Sequence, residues 1–251
     1  MMNGSLPVSA RGRALFLDVD GTLLEIAESP DAVRVPERLK DLLAKLVARE
    51  GGAVALVSGR QLRQLDELFT PLKFAAAGLH GLERRDARGR YIGASDPSLA
   101  TLPAFARARA AMTGFAWHHP ELVFEDKGLA LALHFRRAPA LESEVAAFVG
   151  TLLADLGPSF QLQAGKCVLE IRPAAASKRT AIEAFMKEAP FAGRRPVFVG
   201  DDVTDEDGFA AVNALGGDSI RVGPFAGSKA HWQLPDVARV LDWLAVAAEE
   251  P

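Results

Sequence analysis

Two aspartates one residue apart, Asp18 and Asp20 in "FLDVDGTLL", stand at the end of an apolar run. Far along the chain "GDDVTDED" places Asp201, Asp202, Asp205 and Glu206 directly behind a second run, Pro196–Val199. Short unbroken apolar runs read as strands buried on both faces of a parallel sheet, and ligands of such sheets collect beyond the C-terminal strand ends. Ser58 follows a third run, Ala53–Val57. Up to six carboxylates would then crowd near one sheet edge, where they repel one another unless a cation or a proton offsets the charge. An all-oxygen donor set suits Mg²⁺, which takes one or two carboxylates together with waters and substrate phosphate. One acid of the Asp18/Asp20 pair can hold the ion and attack phosphorus, while its neighbour handles protons.

Plainer readings exist for each fragment. "DVDGT" alone fits an Asx-type turn closing a strand, the acids of "GDDVTDED" fit a helix N-terminus complementing its dipole, and Lys178 fits a solvated surface charge. A calcium EF-hand loop is excluded: counted from Asp18, the sixth position, which needs glycine, is Leu23, and the twelfth is Ser29 rather than Glu. Both acidic motifs on strand ends, with "VSGR" on a third, favour the joint chemical reading.

The elements that must position these residues alternate. Ala14–Val19 reads as a strand, Pro36–Glu50 as an amphipathic helix with Pro36 suited to its first turn, Ala53–Val57 as a strand, and residues 61–68 as a helix. Phe74–Ala77 is a third strand, followed by a hairpin around Gly89 at the sheet edge. The texture then changes to α-β-β-α-β-β: helix Leu102–Met112, strands Leu122–Asp126 and Leu129–Arg136, helix Leu141–Leu156, strands Phe160–Ala164 and Cys167–Arg172. In Leu129–Arg136, Leu129, Leu131, Leu133 and Phe135 share one face, and Ala130, Ala132, His134 and Arg136 the other, so this sheet is expected to be covered on one side only. The first pattern resumes with helix Ser177–Lys187, strands Pro196–Val199 and Ile220–Val222, and helix Val237–Ala248. The fold class is α/β: a doubly wound, Rossmann-like parallel-sheet core, 12–98 and 174–251, carrying an inserted α+β (α-β-β-α-β-β) domain, 99–173.

The 251 residues, 49% hydrophobic and 24% charged, suffice for a core plus a smaller second domain, and the net charge of −3 gives no case for nucleic acid or a membrane surface. No run approaches a membrane span, and the opening "MMNGSLPVSARGRA" has no signal-peptide core, so a cytoplasmic protein with a loose first dozen residues is expected; a monomer is the expected state. The single cysteine, Cys167, excludes an intrachain disulfide and reads as a packed thiol.

In order along the chain, "DVDGT", Ser58, Lys178 and "GDDVTDE" resemble the four motifs of the haloacid dehalogenase superfamily of phosphotransferases. Closer still, "DVDGTLLEIAESPDAV", "HGLE", "EDKGLALALHFR", "GKCVLEIRP" and "GDDVTDEDGF" resemble blocks of the trehalose-6-phosphate phosphatase family, a likeness running from Leu15 to the C-terminal helix. Arg179, where that family usually has Gly, and Ser228, where Thr is common, are departures. The resemblance implies that Asp18 is the nucleophile of an aspartyl-phosphate mechanism and Asp20 the proton carrier, with Thr22 orienting the first loop. It implies Mg²⁺ on Asp18, the backbone carbonyl of Asp20, and Asp201, supported by Asp202 and Asp205. Ser58 and Lys178 would hold phosphoryl oxygens. The substrate, a small-molecule sugar phosphate, would meet Ser58, Gly59, Arg60, His80, Glu125, Lys127, Arg136 and Glu170. A phosphatase of another sugar phosphate, a phosphomutase and a non-enzymatic phosphosugar-binding regulator are the competing readings.

Overall fold

The computed structural model describes residues 12–26, 33–92, 97–224 and 226–249. The expected loose N-terminus falls on residues outside these, as do residues 27–32 of the "DVDGTLLEIAESPDAV" block. The chain divides into two compact units, Met1–Ile92 with Ser177–Pro251, and Gly93–Ala176.

In the first unit, β1 (Arg13–Leu17), β2 (Val54–Val57), β3 (Ala75–Gly78), β4 (Glu83–Arg85), β9 (Arg195–Gly200), β10 (Asp218–Val222) and β11 (Trp232–Leu234) form one sheet in the order β11-β10-β9-β1-β2-β3-β4. Every neighbour is parallel except β4, which runs antiparallel to β3 at the edge. Runs such as "RALFL" and "VALV" bury both faces because each face is covered. Leu15 and Leu17 of β1 turn toward one apolar cluster, with α1 (Glu37–Arg49), α2 (Leu62–Phe69) and α7 (Val237–Glu249). Ala14 and Phe16 turn toward the other, with α5 (Lys178–Phe185) and α6 (Glu206–Ala214).

Register then places the chemistry. Leu17 pairs with Leu56 of β2 and Val199 of β9, so Asp18 stands level with Val57 and Gly200, one residue short of Ser58 and Asp201.

The second unit is an antiparallel sheet in the order β5-β6-β8-β7, from β5 (Val123–Asp126), β6 (Leu131–His134), β7 (Phe160–Gly165) and β8 (Val168–Pro173). Helices α3 (Pro103–His118) and α4 (Glu142–Leu156) share one apolar cluster with Leu131, Leu133, Phe135, Leu169 and Ile171. The other face is not bare: Ala130, Ala132, Glu170 and Arg172 are buried. Among the described residues no helix is long and apolar enough to cross a membrane.

Several boundaries differ from the sequence reading. Helix α3 runs to His118, past Thr113 and Gly114, because Phe115 stacks on Phe148 of α4 at 4.2 Å between ring centroids, and that packing outweighs weak propensity. Strand β6 ends at His134, leaving Arg136 in the following turn, and Cys167 stands in the β7–β8 turn at φ 57 rather than in a strand. Pro36 occupies the N-cap of α1. Helix α6 begins where the acids of "GDDVTDED" also fitted a helix N-terminus, and the three-residue β11 lies in a stretch read without elements.

Gly208 of α6 faces the ring of Phe198, where an added Cβ would lie 2.3 Å from a ring carbon. Phe198 is fully buried, so the ring has little room to retreat. Gly208→Ala is expected to cost about 1–3 kcal/mol of stability despite the better helix propensity of alanine. Urea unfolding checks this; an unchanged or higher midpoint would contradict the packing argument.

Candidate active site

The loop after β1 is a tight turn in which the amides of Leu23 and Leu24 both donate to the Val19 carbonyl. Gly21 opens it at φ 86, and a Cβ there would lie 2.2 Å from Asp201 Oδ2. Glycine therefore serves twice, by its backbone conformation and by letting the β9 loop approach. At the end of β9, Asp205 is fully buried and organises that loop. Its Oδ2 accepts the amides of Asp201 at 2.9 Å and Asp202 at 2.8 Å, and its Oδ1 accepts Lys178 Nζ at 2.5 Å. Ser177 caps α5 through the Thr180 amide, setting Lys178 at the first turn with its side chain turned inward. Nζ donates to Asp18 Oδ1 as well, at 2.6 Å.

Asp18, Asp201 and Asp205 each offer an oxygen within 4.8 Å of the others. Burial pushes the Asp18 carboxyl well above its usual range; Lys178 pulls it down, and Asp205 and Asp201 push it up again. Burial would lower the Lys178 ammonium, but Asp18 and Asp205 reverse that and hold it above its ordinary value. Three buried carboxylates against one ammonium leave negative charge in excess, and a hard divalent cation fits this donor set.

The remaining acids are occupied elsewhere. Asp20 is gripped by Arg60, Nε to Oδ2 and Nη2 to Oδ1, both at 2.7 Å. Its side chain is 36% exposed, against 7% for Asp18. Asp202 accepts the Val203 amide at 2.7 Å, capping a short 3₁₀ turn. Glu206 accepts Arg221, Ser228 Oγ and the Lys229 amide. Of the six clustered acids expected from sequence, three form the close group.

Ser58 is buried, its Oγ accepting the Arg60 amide at 3.2 Å. A Cβ on Gly59 would lie 2.8 Å from His80 Nε2, so the glycine makes room for the imidazole. His80 itself sits in the left-handed region, φ 55. The Thr22 hydroxyl is buried without a hydrogen-bond partner among the described residues. In the second unit Lys127 Nζ lies 2.5 Å from Glu170 Oε2 and 3.9 Å from Glu125 Oε2. Arg136 is exposed and reaches the Lys166 carbonyl at 3.5 Å. Of the two departures, Arg179 pairs along its helix with Glu183 at 3.5 Å, and Ser228 bonds Glu206.

Sequence reasoning passed over Arg221. This buried residue of β10 donates to the Asp201 carbonyl, to the Asp202 carbonyl at 3.3 Å and to Glu206 at 3.0 Å, so it fixes the acidic loop from behind. A charge inside the apolar run "SIRV" was the available signal.

A parallel sheet with Asp18, Ser58 and Asp201 just beyond neighbouring strand ends, and Lys178 at the first turn of α5 beside them, has the fold of the haloacid dehalogenase phosphatases. The chain is similar in fold to a phosphatase of the haloalkanoate (HAD) enzyme superfamily from Bacteroides thetaiotaomicron, with a TM-score of 0.60 at 17% identity over 98% of both chains.

 The chain belongs to the trehalose-phosphatase family, whose sequence profile matches residues 16–237. It is 48% identical over 211 residues to a probable trehalose-phosphate phosphatase of Sinorhizobium fredii, covering 84% of this chain and 78% of that one. It is 43% identical over 231 residues to the trehalose-6-phosphate phosphatase of Escherichia coli, covering 92% and 85%. The chain is accordingly a hydrolase of phosphoric monoesters.

Gly21→Ala is expected to fold yet lose at least about a hundredfold in phosphatase activity, because the new methyl displaces Asp201 by about an ångström or more. Assay of the purified variant beside its circular dichroism spectrum checks this. Retained activity would show that Asp201 need not sit against residue 21.

Proposed function

We propose that the chain hydrolyses trehalose 6-phosphate to trehalose and phosphate, with Mg²⁺ and through an aspartyl-phosphate on Asp18. The observation that carries the chemistry is the buried ammonium of Lys178 shared by Asp18 and Asp205. The substrate follows from the names of the two relatives.

Asp18, Asp201 and the Asp20 carbonyl would hold the ion, with Asp202 and Asp205 in support. When bound, Mg²⁺ neutralises charge on the phosphoryl oxygens and on the crowded carboxylates. An Asp18 oxygen attacks phosphorus as the bond to the sugar oxygen breaks, and Asp20 gives that oxygen a proton. Asp20 then takes a proton from water, whose oxygen attacks phosphorus and releases the Asp18 carboxylate and inorganic phosphate. The difference in exposure suits this division: the buried acid attacks, and the wetter acid trades protons with solvent while Arg60 holds it in place. Lys178 and Ser58 hold the phosphoryl oxygens, and the Thr22 hydroxyl orients the first loop.

The unit 93–176 is assigned the part of a cap, and 12–92 with 177–249 that of the catalytic core. Trehalose 6-phosphate has no charge beyond its phosphate, so recognition of the sugar needs hydrogen bonds to hydroxyls, for which Glu125, Lys127 and Glu170 are strong partners. Gly59, His80 and Arg136 complete the proposed substrate contacts.

Phosphate release from trehalose 6-phosphate tests the reading directly. Asp18→Asn is expected to abolish it without unfolding the protein, and excess chelator to silence the wild type until Mg²⁺ is restored. Substantial turnover by Asp18→Asn, or in chelator, would overturn the nucleophile or the metal respectively.

For the sugar, Glu125→Ala, Lys127→Ala and Glu170→Ala are each expected to lower kcat/KM for trehalose 6-phosphate by about tenfold or more, the cost of a lost charged hydrogen bond. Hydrolysis of p-nitrophenyl phosphate should change far less. Equal losses on both substrates would give these residues a structural role instead.

A further inference from the structure

We propose that His134 is a positioning residue for sugar recognition: its ring holds Glu125 so that the single ammonium of Lys127 stays on Glu170. This rests on the reading above, in which Glu125, Lys127 and Glu170 contact the sugar.

Strand register sets out the geometry. Glu125 of β5 pairs with Ala132 of β6, and Ala132 pairs with Glu170 of β8, so the two acids flank one small residue on the same face. Neighbouring strands lie about 4.8 Å apart, which puts the two acids roughly 10 Å apart at the backbone. Lys127, just beyond β5, serves both, and the distances show the division: 2.5 Å to Glu170 Oε2 and 3.9 Å to Glu125 Oε2. His134 lies two residues along β6 from Ala132, hence on that face, with Nε2 3.0 Å from Glu125 Oε2. An ionised Glu125 requires Nε2 to carry the proton and donate it.

The ring therefore takes part of the demand that Glu125 would otherwise place on Lys127. Without it, Glu125 draws the ammonium away from Glu170, whose side chain is only 5% exposed and tolerates the loss poorly. Both acids would then lose the fixed orientation that a hydroxyl-reading site needs. His134 acts through Glu125, the partner its ring holds, so its effect belongs in affinity rather than in chemistry.

The experiment compares His134→Leu and His134→Gln with wild type, using the full-length Mg²⁺-supplied enzyme, trehalose 6-phosphate and p-nitrophenyl phosphate. Leu removes the donor, whereas Gln offers an amide N–H at comparable reach. For His134→Leu, KM for trehalose 6-phosphate is expected to rise about tenfold, the equivalent of one good hydrogen bond, with kcat for that substrate and kcat/KM for the aryl phosphate nearly unchanged. His134→Gln should recover most of the loss. Equal losses on both substrates, an unchanged KM, or a Gln variant as poor as Leu would each overturn the assignment; thermal melting of the variants identifies the first as misfolding or core damage. A wild type that cleaves the aryl phosphate but not trehalose 6-phosphate would overturn the substrate reading and the sugar role of His134 together, an outcome distinct from one in which only the variants' behaviour fails.

Discussion

One ammonium shared by buried carboxylates governs how the first unit is built. Burying a charged amine costs several kcal/mol even after the surroundings relax, and the contacts from Lys178 to Asp18 and Asp205 are what offset it. Each partner arrives from a different element: Asp18 from the end of β1, Lys178 from the start of α5, Asp205 from the turn after β9. The neighbouring strands β1 and β9 must keep their register, and the serine cap must start α5 at residue 178, or the charges separate. Fold and site thus impose the same constraint, since misplacing any partner leaves an uncompensated buried charge.

The cations around this cluster have separate tasks. Arg60 takes Asp20 outward, to the more exposed side, and Arg221 takes the carbonyls of Asp201 and Asp202 from behind. Asp205 spends one oxygen on two backbone amides and the other on Lys178, so the acidic loop is fixed by its own carboxylate before any ion is considered. The crowding that repels in isolation is divided among guanidinium groups, amides and one ammonium. What is left uncompensated is confined to three acids in one place.

Much of this was legible in the sequence. Apolar runs ending in acids identify parallel strands and their functional ends because burial on both faces leaves no polar alternation to confuse the period. The change to α-β-β-α-β-β likewise marked the second unit, since Leu131, Leu133 and Phe135 alternate with Ala132 and His134. Pairings across sequence were not legible. Nothing in "VSGR" says that Arg60 turns to Asp20, and nothing near residue 221 says that its guanidinium lies under the β9 loop; both depend on strand order. Helix α6 was hidden because its first residues are acids that read equally well as ligands, and α3 outran its propensity through a ring contact with α4. His134 looked like one member of a polar face, and only register brings it beside Glu125.

The strand order also bears on how the polypeptide acquires its shape during synthesis. Strand β1 lies in the middle of the seven-stranded sheet, between β2, which follows soon after it, and β9, which is separated from it by the whole second unit. Until residues 195–200 leave the ribosome, β1 carries one unpaired edge of apolar backbone, the kind of surface that invites association with other chains. The second unit is complete before that partner arrives, and all its sheet pairings lie within it. The nascent protein therefore passes through a stage with one finished module and one open sheet, and Asp18 at the tip of β1 becomes part of a cluster only when the last third of the chain supplies Lys178, Asp201 and Asp205.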